Sequence, residues 1–329
     1  MKNHFFEILC AALVTGAACF LAVPVHAGSC CGGGQAAALI LPKFAQSMVD
    51  VSMEWEQYDG FWTQNGTYRR DQPGTDLNQY RMNLGYALRL APRWQTSAVV
   101  PYVWNVNKQQ NRTSRVDGIG DTMFNLWYEA FDTQMCRLGW SSISLSDLVP
   151  AATFGLSLTV PTGISPYDGV KSDDITGRGF YRIDGNVLLD KTIYPLSLSL
   201  FLSYGKYVER PVNREVVYVP PYRKNLGDRT AGTLAISYET MMDSFQSRYR
   251  LTYTAAFAEV QEGEGTMNGD RDPTTGFRKS SVTGSLGWST VLRDWAAKMS
   301  WNHSIMENGW GSNFPASDIY SLEVSRAFK

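Results

Sequence analysis

The sequence predicts an all-β fold, a transmembrane antiparallel up-and-down β-barrel of about twelve strands, and three observations predict it. Between Asn78 and Val106 the apolar side chains recur at every second position. Tyr80, Met82, Leu84, Tyr86, Leu88 and Leu90 alternate with Arg81, Asn83, Gly85, Ala87 and Arg89, and Trp94 to Val106 resumes the period after Ala91-Pro92-Arg93. That is a hairpin of two strands, each with one greasy face. Second, Trp94 and Trp104 are about 33 Å apart along a strand, which a tilt near 40° projects to about 25 Å, the height of a lipid-facing band with an aromatic girdle at each edge. Third, beyond the first 27 residues no apolar run is long enough to span a bilayer as a helix, so insertion must be by strands.

Each element follows in order. Lys2, the apolar run Ile8 to Val23 and the small-residue site Val25-His26-Ala27 read as a signal peptide over 1–27, and hence as Sec-type export from the cytoplasm of a Gram-negative (diderm) bacterium. Residues 28–46, opening Gly-Ser-Cys-Cys-Gly-Gly-Gly, are expected to be a flexible periplasmic tail or a plug in the barrel mouth, and 47–329 the outer-membrane β-barrel.

Strand one is expected over Met48–Tyr58, with Val49, Val51, Met53 and Trp55 on one face, and the hairpin gives strands two and three. Strands four to seven are read at Gly120–Phe131, Ala151–Pro161, Phe180–Asp190 and Tyr194–Tyr207. Strands eight to twelve follow at Ala231–Met241, Arg248–Val260, Ser281–Val291, Trp295–Met306 and Ile319–Phe328. The count is even, as single-chain bacterial barrels require. A soluble β-sandwich also alternates, but it needs only about 100 residues and shorter strands.

The links orient the barrel. Those after strands two, six, eight and ten are short, while those after the odd strands are long and rich in Gly, Asn, Asp, Arg and Pro. Periplasmic turns and extracellular loops alternate in this way. The link Asp132 to Pro150, with Cys136, is the exception. Trp94, Trp104, Tyr194, Tyr204, Trp295, Tyr320 and Phe328 are the expected girdle residues.

By parity the inward positions carry both signs. The expected pore-lining residues are Glu54, Glu56, Arg81, Arg89, Asp121, Glu129, Arg182, Asp184, Glu239, Arg250, Lys298 and Glu323. They could line a water-filled path and set its ion preference. They could equally pair and hold a narrow lumen shut.

Other chemistry is sparse. The net charge of −1 argues against nucleic acid as a partner. After cleavage only His303 and three cysteines, Cys30, Cys31 and Cys136, remain. That leaves no metal-ligand spacing, no haem-attachment motif, no cofactor and no disulfide framework to expect. His303-Ser304 invites a hydrolase reading, but strand neighbours point to opposite faces and cannot act as base and nucleophile. Cys30 lacks the leucine three residues before it that lipoprotein acylation uses, so a flexible tail rather than an acylated one is expected, and with no catalytic constellation elsewhere no catalytic residue and no enzyme is expected.

Short motifs recur in a telling order: Val99-Val100-Pro101-Tyr102, Gly118-Ile119-Gly120-Asp121, Leu158-Thr159-Val160-Pro161-Thr162-Gly163, Gly185 and Pro195-Leu196. From about Met48 to the end the chain thereby resembles the outer-membrane family associated with the meta pathway of phenol degradation. The resemblance implies a transporter or channel, linked in some members to aromatic-compound use, and carries over no binding residue. Two functions follow as expectations. One is a porin-like channel for passive passage of small solutes, with outer-membrane lipid and the barrel-insertion machinery as partners. The other is a structural barrel in an electron-transfer conduit, with a periplasmic or cytochrome partner.

Overall fold

The stretches of two-residue alternation pair in chain order until the last meets the first. In a computed structural model, residues 39–329 are described apart from 44, 63–66, 71–72, 110–111, 132–135, 139–147, 168–174, 214–219, 245–246, 274, 291–293 and 310–313. The ring consists of β1 (Ser47–Trp62), β2 (Asp76–Ala91), β3 (Trp94–Gln109), β4 (Thr122–Phe131), β5 (Ala151–Val160) and β6 (Arg182–Tyr194). It continues with β7 (Leu196–Tyr207), β8 (Arg229–Ser244), β9 (Ser247–Glu262), β10 (Phe277–Thr290), β11 (Trp295–Gly309) and β12 (Phe314–Phe328). Every neighbouring pair in the ring is antiparallel, and β1 closes it on β12 from Ser47 opposite Phe328 to Trp62 opposite Phe314. Closure gives each of the twelve strands two antiparallel neighbours, which satisfies the backbone of a membrane-spanning sheet.

The barrel is inside-out relative to a soluble protein. Val51, Met53, Leu84, Tyr86, Leu156, Leu198, Leu286, Met299 and Leu322 are exposed, while Glu54, Arg81, Asn83, Ser97, Asn125, Asp184 and Asn302 are buried within the ring. An apolar exterior of this extent is a surface for lipid. Of the expected girdle residues, Trp94, Tyr204, Trp295, Tyr320 and Phe328 are exposed on it, and Trp104 and Tyr194 are half-buried. Trp301, Tyr320, Trp55, Tyr80 and Trp104 stand opposite one another on five adjacent strands, across the closure. Trp55 stacks on Tyr80 with centroids 6.4 Å apart, and Tyr80 on Trp104 at 5.9 Å. Such rows of cross-strand aromatics tie the closing strands together.

The strands depart from expectation mainly at the long-loop end. Strand four does not begin at Gly120: Arg112–Ile119 is a separate strand on the outer half of β3, and β4 takes up the inner half after a break at Gly120-Asp121. Strand six begins at Arg182 rather than Phe180: Phe180 is buried, while Tyr181 is exposed and its carbonyl still accepts from the Val208 N–H. The two long links β7–β8 and β9–β10 build a four-stranded sheet of their own from Arg210–Val212, Tyr222–Asn225, Gly265–Met267 and Asp270–Asp272. Its ion pair between Lys224 and Asp272 is buried. At the other end, Cys136–Leu138 of the exceptional link pairs in parallel with Thr192–Tyr194 of β6, using the edge that β5 leaves beyond Asp190.

Candidate functional site: the barrel lumen

The twelve inward residues expected from parity all sit inside the ring or at its rim, and ten of them are joined in ion pairs. Arg81 meets Glu54 at 2.5 Å, Arg89 meets Glu129 at 3.0 Å, and Arg182 meets Asp184 at 2.8 Å. Arg250 meets Glu239 at 2.8 Å and Lys298 meets Glu323 at 2.5 Å. The partners lie on adjacent strands, on one strand, or, for Arg89 and Glu129, two strands apart. The charges therefore pair along the wall and not across the lumen, so they neutralise the lining without bridging it.

Two polar chains run on that lining. Along β1–β3, Asn83 donates to Ser52 Oγ and to Glu54, Arg81 to Gln79 Oε1, and Gln79 to Asn105 Oδ1. Around β3–β6, Asn186 donates to Ser157, Ser157 to Asn125, and Asn125 to Ser97. Other buried polar atoms find no hydrogen-bond partner among the described residues: Asp50 Oδ2 and both Glu56 carboxylate oxygens on β1, Asn83 Oδ1 on β2, Thr159 Oγ1 on β5, Ser203 Oγ on β7, and Asn302 Oδ1 and Ser304 Oγ on β11. Buried polar groups are satisfied by water when the protein does not satisfy them. Five strands around the ring thus carry buried polar atoms left without a hydrogen-bond partner among the described residues.

The lumen is crossed by the link between β5 and β6. On one side Asn105 of β3 donates to the Ile175 carbonyl at 2.8 Å, Thr176 Oγ1 donates to the Ile119 carbonyl, and Asp121 accepts from the backbone N–H groups of Gly163 and Arg178. On the other, the Arg178 guanidinium forks onto the Glu262 carboxylate of β9, with Nη2 to Oε1 at 2.8 Å, and Tyr207 of β7 also donates to Glu262. β3 and β9 are six places apart in a ring of twelve, so the segment from Ile175 to Arg178 links opposite walls. Around it pack Phe180, Tyr207, Leu226 and Tyr167, with Arg182 and Arg229 beside Tyr207. Parity could find Asp121, Arg182 and Asp184. It could not find Arg178, which lies in a loop, nor that Glu262 would meet it.

The sequence motifs meet at the root of this crossing segment. Gly120 N–H donates to the Pro101 carbonyl, Thr162 Oγ1 donates to the Gly120 carbonyl at 2.5 Å, and Thr122 N–H donates to Thr162 Oγ1. Pro101, Gly120-Asp121 and Thr162-Gly163 thus form one junction, the point where the chain leaves the wall and turns inward.

At the short-turn end, residues before β1 also lie inside the ring. Leu39, Leu41 and Ala45 are buried against Met48, Ala87, Val99 and Met123. Gln95 Oε1 accepts from Leu41 N–H at 2.6 Å, while Arg89 donates to the carbonyls of Ala45 and Pro42. Glu129 accepts from both Arg89 and Gln95. Three expected lining positions therefore serve differently: Arg89 and Glu129 grip the N-terminal segment, and Asp121 grips the crossing link.

Opposite Gln95, Trp127 of β4 is fully buried, facing inward as its parity demands, with Phe201 of β7 at 6.5 Å. Gly155 of β5 lies directly beneath the ring, and a Cβ there would overlap Cζ3, Cε3 and Cη2 of Trp127. Gly155→Ala is accordingly expected to cost about 1–3 kcal/mol as an overpacked site, read as a lowered urea midpoint of the barrel folded in lipid vesicles. An unchanged midpoint would show that the indole is free to move.

His303 and Ser304 do point apart. His303 Nδ1 lies 2.9 Å from Asp318 and stacks on Trp301 on the outer face, whereas Ser304 is buried inside. Cys30 and Cys31 lie outside the described residues.

No protein-family model matches the sequence. No curated protein matches it significantly. Among solved structures the chain is similar to an outer membrane channel from Pseudomonas putida F1, with a TM-score of 0.64 at 11% identity over 88% of this chain and 97% of that one. It also matches the beta domain of the Bordetella autotransporter BrkA (TM-score 0.46, 10% identity, 86% of this chain and 100% of that one) and the NanC porin (0.43, 11%, 85% and 100%). The last two are too distant in shape to carry an argument, and the first is a likeness of fold. The chain has the fold of an outer-membrane β-barrel of twelve strands.

Proposed function

We propose that the protein is an outer-membrane channel passing small solutes passively, aromatic compounds among them. The observation that carries this reading is the lining: polar side chains neutralised along the wall, with unpartnered polar atoms on five strands, inside a lipid-facing exterior. Water in such a lumen is a path for solute. The printed description of the fold neighbour as an outer membrane channel supports it. The aromatic solutes rest on the motif resemblance to the phenol-degradation family, with Trp127, Phe201, Phe180 and Tyr207 facing the interior as apolar steps in a polar tube.

In this reading the signal peptide directs Sec-type export, the insertion machinery recognises the final strand ending at Phe328, and the short turns face the periplasm. No catalytic step is assigned. The conduit alternative finds no supporting observation, because the crossing link and the N-terminal segment occupy the space a cytochrome would need.

Planar-bilayer recording and vesicle permeation of the refolded mature protein test the proposal. Ion conductance, with phenol-sized solutes entering faster than sugars, is expected. A correctly folded barrel, shown by heat-modifiable gel migration, that passes neither ions nor solutes would overturn it.

A further inference from the structure

We infer that a band of side chains at the long-loop ends of β6 to β10 is a binding subsite for a small aromatic carboxylate. The inference deepens the channel reading and rests on it, since the lumen is the route by which such a solute would reach the band.

The strands themselves build the band. Arg182 opens β6 directly opposite Tyr207, which ends β7. Arg229 opens β8 opposite Glu262, which ends β9, and Glu262 in turn stands opposite Phe277, the first residue of β10. Arg182, Tyr207, Arg229 and Glu262 are all buried within the ring. Arg178 of the crossing link lies over this row, its guanidinium 5.3 Å from the centroid of the Tyr207 ring and 5.8 Å from that of Phe277. Phe180 meets Tyr207 edge-on at 6.2 Å.

Charge sets the band apart from the rest of the expected lining, where the other four ion pairs match one cation to one carboxylate. Here three guanidiniums, of Arg178, Arg182 and Arg229, gather about Tyr207 with two carboxylates, of Glu262 and Asp184. A wider circle adds Arg210, over Phe180, and Asp121, which accepts from backbone N–H groups of the link. Among the described residues the surplus stays at one positive charge, which suits a monoanion.

The class of anion follows from what Glu262 does there. Its carboxylate takes the Arg178 fork, with Nη2 at 2.8 Å, and the Tyr207 hydroxyl at 2.9 Å. A planar guanidinium recognises a carboxylate in this way. The guanidiniums of Arg178 and Arg182 also lie over the Tyr207 ring, the second at 5.5 Å, between the rings of Phe180 and Phe277. An aromatic carboxylate uses both halves of the site: its acid meets the surplus cation, and its ring packs against rings and guanidinium planes. Inorganic phosphate lacks the ring, and a neutral phenol lacks the charge.

The test titrates the full mature protein, refolded in detergent micelles, with benzoate in a calorimeter. Benzyl alcohol is the uncharged control and acetate the acid without a ring. Benzoate is expected to bind saturably and roughly tenfold or more tightly than either control, the scale of a hydrogen-bonded charge. Arg229→Gln removes the surplus charge and is expected to weaken benzoate by about the same factor while leaving benzyl alcohol unchanged. Tyr207→Phe keeps the ring, removes the hydroxyl and is expected to weaken benzoate severalfold, so it carries the test if Arg229→Gln does not give the heat-modifiable band of a folded barrel. Benzoate bound no more tightly than benzyl alcohol, or bound equally by the wild type and the folded variants, overturns the subsite. Benzoate binding as expected in a barrel that conducts no ions would uphold the subsite and count against the channel reading alone. Ion conduction without benzoate binding would overturn the subsite and leave the channel reading intact.

Discussion

Arg178→Ala is expected to raise single-channel conductance severalfold and to make the current noisier. The crossing link is hung from two walls, and this guanidinium makes its bond to the β9 side. A hydrogen bond to a charged group contributes about 1.5–3 kcal/mol. Losing that much moves the ratio of held to released link by roughly ten- to a hundred-fold. The variant should still fold, for two reasons. The β3–β4 anchors through Asn105 and Asp121 remain, and Glu262 is not orphaned because Tyr207 still donates to it. Glu262→Gln cuts the same clamp from the opposite side and is expected to act in the same direction with a smaller effect, since an amide oxygen still accepts from Arg178. Folded Arg178→Ala protein with wild-type conductance would show that the link does not constrict the path.

What could be read from the sequence, and what could not, divides along the range of the interaction. Strand parity is local. Alternation at Tyr80 to Leu90 places Met82 and Leu84 in lipid and Arg81 and Asn83 inside, and both hold. Twelve such runs with alternating links leave an up-and-down ring as the simple solution, so strand number and order were legible. The strand ends at the long-loop side were not, because hairpins that rise above the membrane no longer need an apolar face.

The charge pairs were half legible. Glu54 and Arg81 were both predicted inward, but their pairing depends on the register of β1 on β2, which parity alone leaves free in steps of two. Arg178 carries no periodic signal at all, and its partner is 84 residues away. The N-terminal seat did leave a trace. Gly85, Ala87 and Val99 are inward positions without a polar group, a break in the lining that marks where another part of the chain must lie.

Parity also sets up the largest stability contrast. Leu286→Arg is expected to destabilise the barrel by about 2–4 kcal/mol, the cost of a cation on the lipid face near the bilayer midplane. Leu286 is exposed and stands opposite Met299, itself opposite Leu322 and next Met53, an unbroken apolar row around the outside. Ser285→Arg, one residue away, points into the lumen beside Thr254 and Ser300, small polar neighbours that leave room for a long side chain. There the cation stays in water and costs little. Its charge should instead shift the ion selectivity of any conductance toward anions. Urea titration of the two variants refolded into vesicles separates the cases. Equal destabilisation would mean that residue 285 is not lumen-facing, and with it the assignment of lining and lipid faces along β10 would fall. A loss confined to Leu286→Arg, together with a shifted reversal potential for Ser285→Arg, would fix both the membrane face and the water-filled interior on two adjacent residues.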